Sequence, residues 1–433
     1  MPMKNFFKFE QFGTNYRTEI IAGLTTFATM SYIIVVNPAI LSAAGIPKDA
    51  SMVATIVSAI FGTLFLGIYS NRPFAVAPYM GANAFVAYTV VQQLGYSWQT
   101  AMGAIFIGGI LYTIATLLKL RTWLSKSLPI SIKGAIAAGI GLFIAFVGLI
   151  DSGIVKLGNE ATPVQFSDIS SPEVHLALFA FLIISIIYIK RIPGAILLGI
   201  VLSTIIAFVT GLAAPPENFV SLPPDVSSTF LQLDILGALK WGFISVILTL
   251  FIVDFVDTIA SVIALGMSCG LADEKGDLPD VEKPMLADAL GTIVASLMGT
   301  TTTGIYIESA TGIQAGGKTG FTAVVVAFCF ALALFFSPFV TAIPVYAYSP
   351  ALILIGATML SPLKTIDYKD LTELIPAAVI IFLMIYTIDI GIGITAGFVL
   401  YPVMKIVTGR HREVTSGMWV FFIFSLLFFI LKP

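Results

Sequence analysis

Three carboxylates, Asp254, Asp257 and Glu308, sit in stretches apolar enough to lie inside a lipid bilayer. An acid at the membrane midplane costs roughly 2.5–3.5 kcal/mol to insert, so a chain keeps several there mainly when they bind something. In FIVDFVDTIASVIAL, Asp254 and Asp257 are three residues apart and share one helical face, and Thr258 and Ser261 extend that polar stripe among Phe, Val, Ile and Leu. No Lys or Arg follows the acids within 254–265 or accompanies Glu308 within 302–315. Acids in that setting suit a proton-coupled binding site. The competing reading is that they only hydrogen-bond neighbouring helices and fix packing, and it weighs most for Asp257.

The segments that must position these groups are interrupted. Segment 73–93 contains Pro78 and Gly81 just before Asn83, which breaks a regular helix through its first half. Segment 302–315 follows the β-prone run Thr300 to Thr303 and carries Glu308. Both read as an extended piece followed by a half-helix, an arrangement tolerated at membrane depth only where protein or a cavity satisfies the backbone. If the two half-helices meet near the midplane, Asn83 and Glu308 face one site from opposite sides. Tyr79, Phe85 and Tyr306 flank the polar residues and are candidates to stack on a flat ring, although aromatics in membrane spans more often serve as core or lipid contacts.

Of 433 residues, 58% are hydrophobic and 11% charged, and the mean hydropathy is +1.00, far from the roughly 25% charged residues of a soluble domain. Apolar segments of spanning length fall near 17–42, 51–70, 73–93, 99–118, 128–150, 174–189, 193–213, 235–265, 285–299, 302–315, 319–337, 343–361, 371–387 and 389–407. These fourteen are followed by a shorter one at 417–431, and the first reads as a retained helix rather than a signal peptide. With the N-terminus in the cytoplasm, Lys119, Arg121, Lys126, Lys190, Arg191, Lys364, Lys369, Lys405, Arg410 and Arg412 fall on the cytoplasmic side. The opposite loops are nearly free of positive charge: 214–234 has none and 151–173 has only Lys156.

Residues 187–211 align without a gap on 385–409, sharing Ile187/Ile385, Tyr188/Tyr386, Gly199/Gly397, Val201/Val399, Leu202/Leu400 and a Val-Thr-Gly ending. The two copies run in opposite directions through the bilayer, as an inverted repeat of seven plus seven spans requires. Gly134, Gly139, Gly141 and Gly148 suit close helix contact, either static or sliding.

The net charge of −2 and the absence of a one-sided basic cluster argue against nucleic acid. Cys269 and Cys329 read as packing residues, with no disulfide and no metal site expected. His175 lies in or beside an outward loop and His411 in a cytoplasmic turn, and no nucleophile–base or metal-ligand spacing appears, so an enzyme is disfavoured.

The runs VDFVDTIASV, TTTTGIYIESATG, AGGKTGFTAV and APYMGANAFVAYTV resemble the purine permeases of the nucleobase–cation symporter family, specifically the azaguanine-type (AzgA-like) branch, and the resemblance covers essentially the whole chain. It implies an all-α polytopic membrane protein of the uracil-permease type, with fourteen spans in two inverted repeats and two broken segments carrying short strands. It also implies a core domain (17–120 and 234–338) and a gate domain (121–213 and 339–412), followed by the C-terminal segment 413–433.

By motif, Asn83, Asp254 and Glu308 are expected to bind a purine such as adenine, guanine or hypoxanthine. Asp257 and Thr258 are expected to support the site or couple protons, and no cofactor is expected. The coupling ion is expected to be H+, with Na+ the other candidate, and a homodimer is left open. Where many relatives read Asp-Thr-hydrophobic-Gly-Thr, this chain has Asp257-Thr258-Ile259-Ala260-Ser261, which puts Asp257's role in doubt. The nearest rival is an anion transporter or exchanger of the same fold, but a carboxylate at position 308 would repel its substrate.

Overall fold

In hydrocarbon a backbone must bond to itself, and helix is the local way to do so. The computed structural model follows this logic over the residues it describes, which are 3–120, 123, 127–158, 164–167, 170–240, 246–247, 249–251, 253–254, 258, 261–262, 265, 280–387 and 389–431. Among these, eight helices are long and apolar enough to cross a membrane, and shorter apolar helices cover Ala195–Val209, Leu371–Thr387 and Ser416–Leu427. Every expected span except 235–265, which is described only in part, falls on a helix or on a strand followed by a helix.

Six helices form one packing group. Helices α1 (Tyr16–Met30) and α2 (Ile33–Ser42) make up the first span, which breaks at Ser31 and Tyr32. Helix α3 (Lys48–Ser70) packs on α4 (Glu282–Met298) and α5 (Gly320–Ala333), and α1 packs on α5. The helix Trp98–Leu117 packs on α4.

A second group is built around Ile130–Asp151, which lies against Val345–Thr358 and Leu371–Thr387. Pro172–Ile189 packs on Ala195–Val209, as Leu371–Thr387 does on Ile390–Val407. Gly134, Gly139, Gly141 and Gly148 all face the Val345–Leu371 region or Met384, where an added Cβ would fall within 3 Å of a neighbour. They serve close packing inside this second group. The C-terminal helix Ser416–Leu431 lies along Ile390–Val407, with the rings of Phe398 and Phe421 4.9 Å apart.

Three features were absent from the sequence reading. Phe85–Gln93 winds as a π-helix, a form that concentrates at functional sites. The 151–173 connection carries a small antiparallel hairpin, Val155–Leu157 with Val164–Phe166. The break in the first span is the third, and it bears directly on the site.

Candidate functional site

The two broken segments cross as an antiparallel strand pair. Strands β1 (Val76–Pro78) and β2 (Thr303–Ile305) pair in the register Val76 with Ile305, Ala77 with Gly304 and Pro78 with Thr303, and every residue of both is buried. The pairing continues past the strand ends: Tyr79 N–H donates to the Thr302 carbonyl at 2.8 Å, and Tyr306 N–H to the Ala75 carbonyl at 2.9 Å. Half-helices Met80–Ala84 and Ser309–Gln314 then leave the crossing.

Two strands alone leave both outer edges unbonded, which is unaffordable in hydrocarbon. A repeated Gly-Thr dipeptide solves this on each side. Thr63 of α3 accepts from Val76 N–H and donates to its carbonyl, both at 2.9 Å, and Thr292 of α4 accepts from Thr303 N–H at 3.1 Å. The preceding residues, Gly62 and Gly291, let α3 and α4 close over the strands: a Cβ on Gly62 would sit 2.7 Å from Val76 Cγ1, and one on Gly291 2.7 Å from Thr303 Oγ1. Matching devices in the two halves are what an inverted repeat produces.

Asn83 is fully buried on the first half-helix. Its Oδ1 accepts from the Thr301 hydroxyl on the opposite segment, and its Nδ2 has no partner among the described residues. An orphaned amide donor in so dry a place is costly unless something else bonds to it. Tyr79 and Tyr306 are buried at the two strand ends, and Tyr306 donates from its hydroxyl to the Pro78 carbonyl at 2.6 Å. Phe85, also buried, begins the π-helix.

Glu308 is half-buried and stands at the N-terminal boundary of the second half-helix without capping it. Its Oε1 accepts a 2.6 Å hydrogen bond from the Tyr32 hydroxyl at the break in the first span. Asp254 is fully buried on the partly described eighth span. Asp257 lies outside the described residues. Thr258, one turn beyond Asp254, donates to Asp288 Oδ2 on α4 at 2.6 Å. Asp288 also accepts from Thr303 Oγ1, through its carbonyl at 3.0 Å and its Oδ1 at 3.3 Å.

The structure therefore brings Asn83, Tyr79, Tyr306 and Glu308 to one crossing, and ties Thr258 to that crossing through Asp288. Sequence reasoning missed Tyr32, Asp288 and Glu19. Glu19 is fully buried on α1 and accepts from the N–H groups of Lys318 and Thr319 and from the hydroxyls of Thr14, Thr319 and Thr322. The Gly-Gly-Lys-Thr-Gly run is thus a cradle for a carboxylate at the start of α5. Glu19 and Asp288 satisfied the criterion that had flagged Glu308, an acid in apolar sequence. Tyr32 carried no such signal. Among the described residues no cluster of His, Cys, Asp and Glu is arranged to hold a metal.

Residues 17–431 match the model of a Permease family, Xan_ur_permease. The chain is 46% identical to a putative permease of Methanocaldococcus jannaschii over 98% of this chain and 97% of that one. It is 39% identical to the adenine permease AdeP of Escherichia coli, covering 99% and 95% of the two chains. It is also 39% identical to the guanine/hypoxanthine permease PbuO of Bacillus subtilis, covering 96% and 97%. Among solved structures, the transmembrane domain of the cyanobacterial bicarbonate transporter BicA superposes with a TM-score of 0.65 at 17% identity, covering 88% of this chain and 97% of that one. SLC26A9 gives 0.65 at 14% identity, covering 90% and 65%. The fold is the uracil-permease type that these transporters share.

Proposed function

The chain belongs to the Permease family of multi-pass membrane transporters, and we propose that it carries purine nucleobases across the cell membrane together with a cation, a proton in our reading. Full-length likeness to named adenine and guanine/hypoxanthine permeases carries this proposal. The chemistry of the crossing supports it. A nucleobase is neutral, flat and rimmed by N–H donors and by N and O acceptors. Asn83 Nδ2 is a donor in want of an acceptor, and Glu308 offers a carboxylate oxygen to ring or amino N–H groups. Charge-assisted hydrogen bonds of that kind contribute roughly 1.5–3 kcal/mol each. Asp254 is the third binding group in this reading, with Asp257 and Thr258 supporting the site and Tyr79, Phe85 and Tyr306 available to stack.

In this mechanism purine and proton bind between the half-helices, and the core domain (17–120 and 234–338) then moves against the gate domain (121–213 and 339–412) to open the other side. The two packing groups support that division, since the strand crossing and its Gly-Thr clamps lie in one, and the glycine-lined helix Ile130–Asp151 anchors the other. The excess of Lys and Arg in one set of loops supports a cytoplasmic N-terminus. An anion transporter of the same fold is the alternative, and Glu308 at the crossing disfavours it because an anionic substrate would meet a carboxylate.

The test is uptake of labelled adenine, guanine, hypoxanthine and bicarbonate into vesicles holding the purified chain, under imposed pH or sodium gradients. Purine uptake driven by a pH gradient, and lost in Glu308→Gln and Asn83→Ala, is the expected result. Uptake of bicarbonate without purines would overturn it.

A further inference from the structure

The end of α3 and the start of α4 meet the N-terminal segment around a basic cavity that purine transport does not use. The short helical turns Met3–Phe6 and Phe9–Phe12 fold over this end of the molecule. Phe7 and Phe9 are buried there, each packing edge-on against Phe321 of α5 at 5.7 Å. Asn71, just past α3, ties the segment down: its Nδ2 donates to the Phe7 carbonyl at 3.2 Å and its Oδ1 accepts from Gly320 N–H at 2.9 Å. The cavity so formed has a volume of about 310 Å³, and Lys8, Arg72 and Lys283 line it against one acid, Asp280. Lys283 Nζ donates to Asp280 Oδ2 at 3.1 Å. An ammonium has three donors and a guanidinium five, so that pair leaves most of the donor capacity of the three cations in place.

An apolar row leads from this cavity into the bilayer. Phe61, Phe65 and Tyr69 recur at four-residue spacing along α3, with ring centroids 6.1 and 5.4 Å apart and near-parallel planes. Phe61, Ile68 and Tyr69 are exposed on a helix of spanning length, so what they meet there is lipid. Ile68 and Tyr69 also line the cavity, which makes the row and the basic groups one continuous surface.

We infer that this surface binds an anionic phospholipid, its phosphate held among Lys8, Arg72 and Lys283 and an acyl chain laid along Phe61, Phe65 and Tyr69. Basic pockets at the headgroup level of the bilayer attract anionic lipid electrostatically. A zwitterionic lipid brings its own ammonium and gains less from three cations, and a free phosphate has no use for the aromatic row. The bound headgroup bridges the N-terminal segment, the end of α3 and the start of α4. Because α3 and α4 carry the Gly-Thr pairs that seal the strand crossing, its binding stabilises the fold.

The experiment titrates the purified full chain in neutral detergent with phosphatidylglycerol, phosphatidylcholine or inorganic phosphate and reads the melting temperature. Phosphatidylglycerol is expected to raise it saturably, and the other two to raise it far less. In Lys8→Gln/Lys283→Gln the phosphatidylglycerol concentration giving half the shift is expected to rise about tenfold, for the loss of two of the three cations. Lys8→Gln alone, at an exposed position near the chain terminus, serves where the double variant is not recovered, with about a threefold rise expected. An equal response to phosphatidylcholine would remove the headgroup charge from recognition and overturn the site. An equal response to inorganic phosphate would make it a soluble-anion site instead. No response to phosphatidylglycerol, or the same half-point in wild type and the variants, would place any lipid binding elsewhere. None of these readings depends on transport, so they stand or fall apart from the purine proposal.

Discussion

Thr258 donates to Asp288 across 2.6 Å, and the same carboxylate receives Thr303 from the strand crossing. One buried side chain therefore joins the eighth span, helix α4 and strand β2. Asp288→Ala is expected to leave the Thr258 hydroxyl without this acceptor, at a cost of about 1–3 kcal/mol, whereas the Thr303 hydroxyl keeps the Asp288 backbone carbonyl at 3.0 Å. Asp288→Asn retains an acceptor oxygen and is expected to lose less. Thermal unfolding of the purified protein in detergent checks this, and equal melting temperatures for wild type and Asp288→Ala would contradict it.

Glu19 binds the start of α5 with five donors, two of them backbone N–H groups of Lys318 and Thr319. A carboxylate at a helix N-terminus is favoured by the dipole as well as by the hydrogen bonds. Glu19→Ala is expected to cost on the order of 3 kcal/mol or more, because it removes an acceptor from several buried donors at once. Glu19→Gln is expected to fall between, since its amide nitrogen brings donors toward donors. The measurement is the monodisperse yield and melting temperature of each variant, and transport by whatever protein folds should retain the wild-type KM because Glu19 lies outside the crossing.

How much of this was legible in the sequence depended on whether the cause was local. Pro78, Gly81 and the Thr300 to Thr303 run announced interrupted segments, and the structure has strands there. Residues 85–93 wind as a π-helix with no Pro or Gly to mark it, and Ser31 and Tyr32 are equally unmarked as a break. Glu19 and Asp288 were visible as acids in apolar sequence, but their partners were not: Glu19 meets Thr322 across 303 positions of chain. Glu308 was singled out for lacking a basic partner, and the residue that meets it is a tyrosine 276 positions away.

The turn after Ile390–Val407 carries a pH-dependent contact. Hydrogen bonds from Arg410 and Lys405 hold the Glu413 carboxyl at about 2, well below the ordinary value of 4.5. Hydrogen bonds from Thr372 and Arg410 likewise hold Asp370 below its ordinary range. A carboxyl whose folded value is depressed contributes stability that is fully present above its unfolded value and is lost as pH falls through the folded one. The melting temperature of wild type is therefore expected to decline between about pH 5 and pH 2 by more than that of Glu413→Gln, the two curves converging at the acid end. The gap above pH 5 is expected to be small, because exposed ion pairs are screened. Parallel curves across that range would rule the contact out as a source of pH dependence.

Gly291 and Gly108 give opposite expectations for the same chemical change. A Cβ at Gly291 would meet Thr303 Oγ1 at 2.7 Å and the Gly62 Cα at 3.6 Å, so α4 would have to back away from the strand it seals. Among the described residues nothing lies within 4 Å of a Cβ at Gly108, in the helix Trp98–Leu117. Overpacking a tight contact costs about 1–3 kcal/mol, whereas Gly to Ala in an open helical position gains roughly 0.5–1 kcal/mol from backbone entropy. Gly291→Ala is therefore expected to lower the melting temperature and to weaken purine uptake, since the displaced strand leads into Tyr306 and Glu308. Gly108→Ala is expected to match or exceed wild type in both. If both variants melt together, the Gly-Thr pairs do not seal the strand crossing, and the strand edges must be satisfied by other means.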